Sequence, residues 1–149
     1  MPSREPNGAS TLSMEIEIRL FLRPLSELVA RLRYDRRLER AWEMLERDYS
    51  DSTLTLDDVA LESGANKNHL NVLLRQATSL TFHQLLIRYR LARALEMMLT
   101  RNYNILEVAL ENGFGSMNTF ERNFRVVLGT TPGEFRRQHN KWRFNQDFR

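Results

Sequence analysis

Cysteine is absent from the 149-residue chain, which removes disulfides, thiolate zinc sites and thiol nucleophiles together. Apolar runs stay far short of the ~20 residues that a membrane-spanning helix needs. Residues 1–13 (MPSREPNGASTLS) lack the apolar core of a secretory signal, so a cytoplasmic protein with no membrane partner is expected. His69, His83 and His139 are scattered with no second ligand at metal spacing, and neither a metal nor a cofactor is expected. No paired carboxylates, nucleophile–base pair or phosphate-cradling loop stands out, which argues against an enzyme. Glycine (six) and proline (four) are sparse enough that each is read as deliberate punctuation.

What is present is a basic, moderately apolar chain. A hydrophobic content of 42% supports one or two modest cores but not a large multidomain enzyme. Net charge is +3, which permits nucleic-acid binding without demanding it. The excess lies in the repeat and tail: residues 54–137 carry ten Lys and Arg against eight Asp and Glu and residues 138–149 three against one, whereas residues 1–53 carry nine against ten.

Along the chain, residues 1–13 read as disordered and residues 14–37 as an N-terminal extension. In the latter, Ile16, Ile18 and Leu20 alternate with charged residues as in a short strand. From Pro24, the stripe Leu25, Leu28, Val29 and Leu32 has helical spacing, and Leu38, Ala41, Trp42 and Leu45 form a second one. The first stripe either packs on the neighbouring domain or mediates self-association. The expected state is therefore a monomer, or a weak dimer through residues 24–34.

The strongest signal is an internal repeat. Leu54-Thr55-Leu56-Asp57-Asp58-Val59-Ala60 leading to Gly64 is matched 49 residues later by Tyr103-Asn104-Ile105-Leu106-Glu107-Val108-Ala109 leading to Gly113. Thr55 with Asp58, and Asn104 with Glu107, are capping boxes. Leu54/Val59 and Tyr103/Val108 hold staple positions, and the glycines suit left-handed C-termini. Asn66 and Ser116 can cap the helices that follow. Each copy is thus a helix-turn-helix, over about 55–77 and about 104–128. Between them, Thr81 and Gln84 form a third capping box and open a helix over about 81–100. At 1.5 Å per residue this spans about 30 Å, close to the 34–36 Å between successive major-groove faces on one side of B-DNA. Thr131-Pro132-Gly133-Glu134 starts a last helix to roughly His139, and residues 140–149 read as a fraying tail.

Rotating each second helix separates core from surface. Phe120 and Phe124, with Val127 or Leu128, form one buried stripe; Leu70, Leu73, Leu74 and Ala77 form the other. The opposite faces carry Asn118, Glu121, Arg122 and Arg125, and Lys67, Asn68, Asn71, Val72 and Arg75. Polar outer faces are ordinary, but these side chains also match base-edge chemistry. Asn pairs with adenine, Arg with guanine, Glu accepts from the cytosine amino group, and Val72 can meet a thymine methyl. The base-reading candidates are Asn68, Asn71, Val72, Asn118, Glu121 and Arg122. The backbone-contacting candidates are Asn66, Lys67, Arg75, Ser116 and Arg125.

These residues carry a family resemblance. Val108-Ala109, Gly113-Phe114, Ser116, Phe120, Arg122, Phe124-Arg125, Gly129, Thr131-Pro132 and Phe135-Arg136, in that spacing, resemble the signature of AraC/XylS-type transcriptional regulators. Arg90-Leu91, Ala94 and Met98-Leu99 resemble the family's linker helix. The resemblance covers residues 38–139, the whole DNA-binding domain. It implies an all-α fold of about seven helices, two helix-turn-helix subdomains joined by a long linker helix, with an extra N-terminal helix in this chain.

The implied function is a sequence-specific regulator, an activator that also touches RNA polymerase. Both recognition helices would enter successive major grooves of a nonpalindromic duplex site of about two turns. With about 37 residues ahead of the domain, the chain resembles the short, MarA/SoxS-like members. An alternative is a truncated regulator that pairs with a longer family member through its N-terminal helix. Departures from the family pattern are Asn112 and Thr119 at positions often apolar or aromatic, Val72 where a long polar residue is frequent, and Leu74 where an aromatic is.

Overall fold

The computed structural model describes residues 27–100 and 102–147, and over these the chain is helical with no strand. The possible strand at 14–22 and the polar stretch 1–13 lie outside the described residues. Helix α1 is described at residues 27–32. It is followed by α2 (Arg36–Asp48), α3 (Leu56–Ser63), α4 (Lys67–Thr78), α5 (Phe82–Thr100), α6 (Ile105–Glu111), α7 (Met117–Leu128) and α8 (Pro132–Asp147).

Local chemistry sets most boundaries. The α3 and α6 capping boxes are both closed. Thr55 accepts from the Asp58 amide (3.3 Å) and Asn104 from the Glu107 amide (2.8 Å), while each acid accepts from the cap residue's own N–H. Thr81 and Gln84 do the same at the start of α5, as do Thr131 and Glu134 at α8. Gly64 stops α3 at φ +68°, and Gly129 stops α7 at φ +73°. α8 continues past His139 to Asp147, beyond the fraying tail read from the sequence. No glycine or proline follows Gly133 to end it.

Two cores form, and α5 belongs to both. Leu32, Leu38, Trp42, Leu45, Val59, Leu70 and Leu74 pack around one side of α5 at Phe82, Leu85, Leu86 and Ala92. Val108, Phe114, Phe120, Phe124 and Phe135 pack around Ile87, Leu91, Ala94, Leu95 and Met98. A helix that serves two cores buries more than one stripe, and His83, Gln84, Arg93 and Glu96 are among the residues it leaves exposed.

Leu32 is 1% exposed within the first core and Val29 packs against it. This part of the N-terminal stripe is therefore consumed by the chain's own domain, the plainer of its two readings. Asn112 does not breach the second core either. It is 3% exposed, and its Nδ2 donates to Val108 O (2.8 Å) and toward Met97 Sδ (3.5 Å). Thr119 is half-buried; its N–H donates to Ser116 Oγ (3.2 Å) and its Oγ1 accepts from the same hydroxyl (2.9 Å).

Candidate nucleic-acid interface

In each helix-turn-helix, one buried stripe fixes which way the second helix turns. Leu70 and Leu74 are 0% and 1% exposed, so the remaining faces of α4 are set by one-turn spacing. Asn68, Val72 and Arg75 are exposed there; Val72, at 49%, is a large apolar residue left in solvent among polar neighbours. In α7, Phe120 and Phe124 are fully buried in a chain of rings: Phe114–Phe120 at 4.9 Å, Phe120–Phe124 at 5.5 Å and Phe124–Phe135 at 5.8 Å between centroids. Opposite them Asn118, Glu121, Arg122 and Arg125 are exposed.

Several cations of the surface are paired, whereas Arg33, Arg36 and Arg40 are exposed without an ion pair among the described residues. Arg37 pairs with Asp35 (2.9 Å), Arg47 with Asp48 (2.7 Å) and Glu62 (2.9 Å), and Arg93 with Glu96 (2.8 Å). Among the described residues, no ion pair engages Arg75, Arg122 or Arg125. Lys67 contacts Asp57 at 3.1 Å, but both side chains are more than half exposed. Such a pair is worth little and yields readily to a phosphate.

The helix starts are already occupied. Asn66 Oδ1 accepts from the amides of Asn68 (2.9 Å) and His69 (3.4 Å), and Ser116 Oγ from that of Thr119 (3.2 Å). Both side chains thus serve the caps. The first-turn amides that remain without helical partners are those of Lys67, Met117 and Asn118, which suits them to an anion.

Asn71 stands apart from the other reading candidates. It is half-buried, and its Oδ1 accepts from the Phe82 N–H (3.0 Å), the first amide of α5. Its carboxamide oxygen thus ties α4 to the linker. That leaves Nδ2 as the group it could offer to a base. Sequence reasoning missed this bond because nothing in the α4 pattern points eleven residues ahead. It also passed over two surface features. Val126, 79% exposed, lies one turn beyond Arg122. Arg37 Nη1 lies 3.2 Å from His69 Nε2 at the start of α4. Beside it, hydrogen bonds from the Arg37 side chain and amide hold the Asp35 carboxyl down at about 2, and Asp35 in turn caps α2.

Among the described residues no group of His, Asp and Glu could hold a metal, and no helix is long and apolar enough to cross a membrane.

A helix-turn-helix domain family matches residues 59–138. The chain is 31% identical over 83 residues to the HTH-type transcriptional activator AarP of Providencia stuartii, covering 56% of this chain and 62% of AarP. It therefore spans less than two thirds of that relative. It is 32% identical over 89 residues to the regulatory protein SoxS of Salmonella typhimurium, covering 60% of this chain and 83% of SoxS. Its fold superposes, at a TM-score of 0.67 and 25% identity, on the DNA-binding domain of AdpA, a global transcriptional factor solved in complex with a target DNA. That likeness covers 73% of this chain and 96% of the AdpA domain.

Proposed function

The chain belongs to the AraC/XylS family of helix-turn-helix transcriptional regulators, and from that membership we propose that it is a sequence-specific activator with α4 and α7 as its two reading helices. One observation carries the proposal: in each unit a capped second helix turns a buried apolar stripe inward and presents, on the opposite face, exposed side chains at one-turn spacing whose chemistry matches base edges and phosphates. Asn68 and Val72, supplemented by Asn71 Nδ2, form one reading head; Asn118, Glu121 and Arg122 form the other. Lys67, Arg75 and Arg125, with the first-turn amides beside the Asn66 and Ser116 caps, hold the phosphates. The heads differ in composition, so the site is nonpalindromic. At two grooves it spans about two turns. Both heads lie in one chain, so a monomer suffices, and it works where the bacterial DNA is, in the cytoplasm. Activation further implies a contact with RNA polymerase.

The test is selection of preferred sequences from random duplexes, followed by affinities at two salt concentrations. Arg122→Ala and Asn118→Ala should each lose ~1–3 kcal/mol on the selected site and relax the preference at one position, with helicity unchanged. Affinity of both variants for the selected site unchanged from that of the intact chain would remove α7 as a reading helix. Transcription in vitro from a promoter carrying the site then decides between activation and repression.

A further inference from the structure

The two reading units touch each other at a point off the axis of α5. Arg90, in the middle of α5, is 6% exposed. Its Nε donates to the carbonyl of Tyr49 (2.7 Å) and its Nη2 to that of Asp51 (2.8 Å). Tyr49 is the C-cap residue of α2, so the guanidinium sits where the helix dipole favours a cation. Only a planar fork can serve two carbonyls in this way; a lysine ammonium on a flexible stem cannot fix both directions.

From the other side Gly113, at φ +80°, closes on the same spot. A Cβ there would collide with Tyr49 O, stand 2.9 Å from Arg90 Nε and 3.1 Å from Ser50 C. Gly115 continues the approach, its added Cβ lying 3.4 Å from Ser52 Cβ. The loop of the first unit, the turn of the second and the linker thus converge on one backbone carbonyl. Two bodies joined by a single rod can still pivot about it. A second contact away from the rod removes that freedom.

We infer that Arg90 and Gly113 are positioning residues that lock the angle between the two reading helices and so set the spacing of the DNA site. The inference rests on the proposed two-headed reading. Engagement of the second head is intramolecular, so its effective concentration depends on how narrowly it is held. One added base pair displaces the second groove by about 3.4 Å along the axis and about 35° around it. A locked protein resists that change and a loosened one follows it.

The experiment uses duplexes selected by the intact chain, the same duplexes with one base pair added or removed between the two half-elements, and each half-element alone. The intact chain should prefer its own spacing by about tenfold or more. Arg90→Gln and Gly113→Ala should bind the native spacing about tenfold more weakly and discriminate less than about threefold, while half-element binding stays within about twofold. Arg90→Lys should fall between. The lack of cysteine allows a measurement on the otherwise unaltered protein: spin labels at Gln76→Cys and Val126→Cys, both on exposed positions, should give a narrow distance distribution that broadens with Arg90→Gln. Spacing discrimination retained in Arg90→Gln or Gly113→Ala, or a broad distribution in the protein with Arg90 and Gly113 intact, overturns the lock. Failure of the intact chain to select any duplex overturns the two-headed reading instead.

Discussion

Phe120 and Arg122 are two residues apart on α7, yet replacing each by alanine should produce opposite phenotypes. Phe120 is fully buried, with neighbouring rings at 4.9 and 5.5 Å. Truncating a buried phenylalanine costs ~3–5 kcal/mol, and edge-on or tilted ring pairs contribute roughly 0.5–1.5 kcal/mol beyond their area. Two such pairs put Phe120→Ala in the upper part of that range, about 4–5 kcal/mol. For a domain of this size each kcal/mol moves the midpoint by about 3–6 °C, so a fall of roughly 12–30 °C is expected. Arg122 is exposed and has no ion-pair partner among the described residues, so its truncation should stay within about 0.5 kcal/mol and a few degrees. Thermal unfolding followed by far-UV circular dichroism reads both. Binding to the selected duplex, measured well below both midpoints, should show the reverse order. Phe120→Ala keeps its sequence preference; Arg122→Ala loses affinity and relaxes the preference at one position. Similar melting of the two variants would refute the assignment of core and reading faces on α7, and with it the use of helical spacing to separate them.

Asn71→Ala should cost about 1–3 kcal/mol by orphaning the partly buried Phe82 amide, whereas Asn68→Ala, on an exposed side chain, should change stability by less than about 0.5 kcal/mol. Urea unfolding of the pair checks this, and equal midpoints would deny Asn71 its tie to the linker. Asp35 has a folded-state value of about 2, below its ordinary value of 3.8. Its contribution is therefore complete above pH 4 and is lost as pH falls toward 2. Asp35→Asn should flatten the acid limb of the stability curve over that window, and an unchanged limb would show that the cap does not couple to acid unfolding.

The sequence was most legible where the determining groups lie within one turn of each other. Thr55 and Asp58, Asn104 and Glu107, Thr81 and Gln84 and Thr131 and Glu134 are three residues apart, and every one of these reciprocal pairs forms. The Phe120–Phe124 stripe was legible for the same reason. What escaped the sequence lies across long separations. Arg90 reaches carbonyls 41 and 39 residues back, and a backbone acceptor leaves no trace in residue identity. Gly113 could be read as a helix stop; the approach of Tyr49 that also demands glycine there could not. Asn112 looked out of place because its acceptors, Val108 O four residues back and Met97 Sδ on another helix, become visible only once α6 is packed on α5.

The sharing of α5 between both cores also bears on how such a repeat can change over time. Leu86 faces the first core and its neighbour Ile87 the second, so a substitution at either position is felt by an adjoining unit as soon as the helix shifts. The two units cannot vary independently there. Their outward faces carry no such tie. Asn68 and Val72 on one, and Glu121 and Arg122 on the other, can be exchanged without touching a core, which leaves binding preference as the part of the duplicated unit most open to divergence.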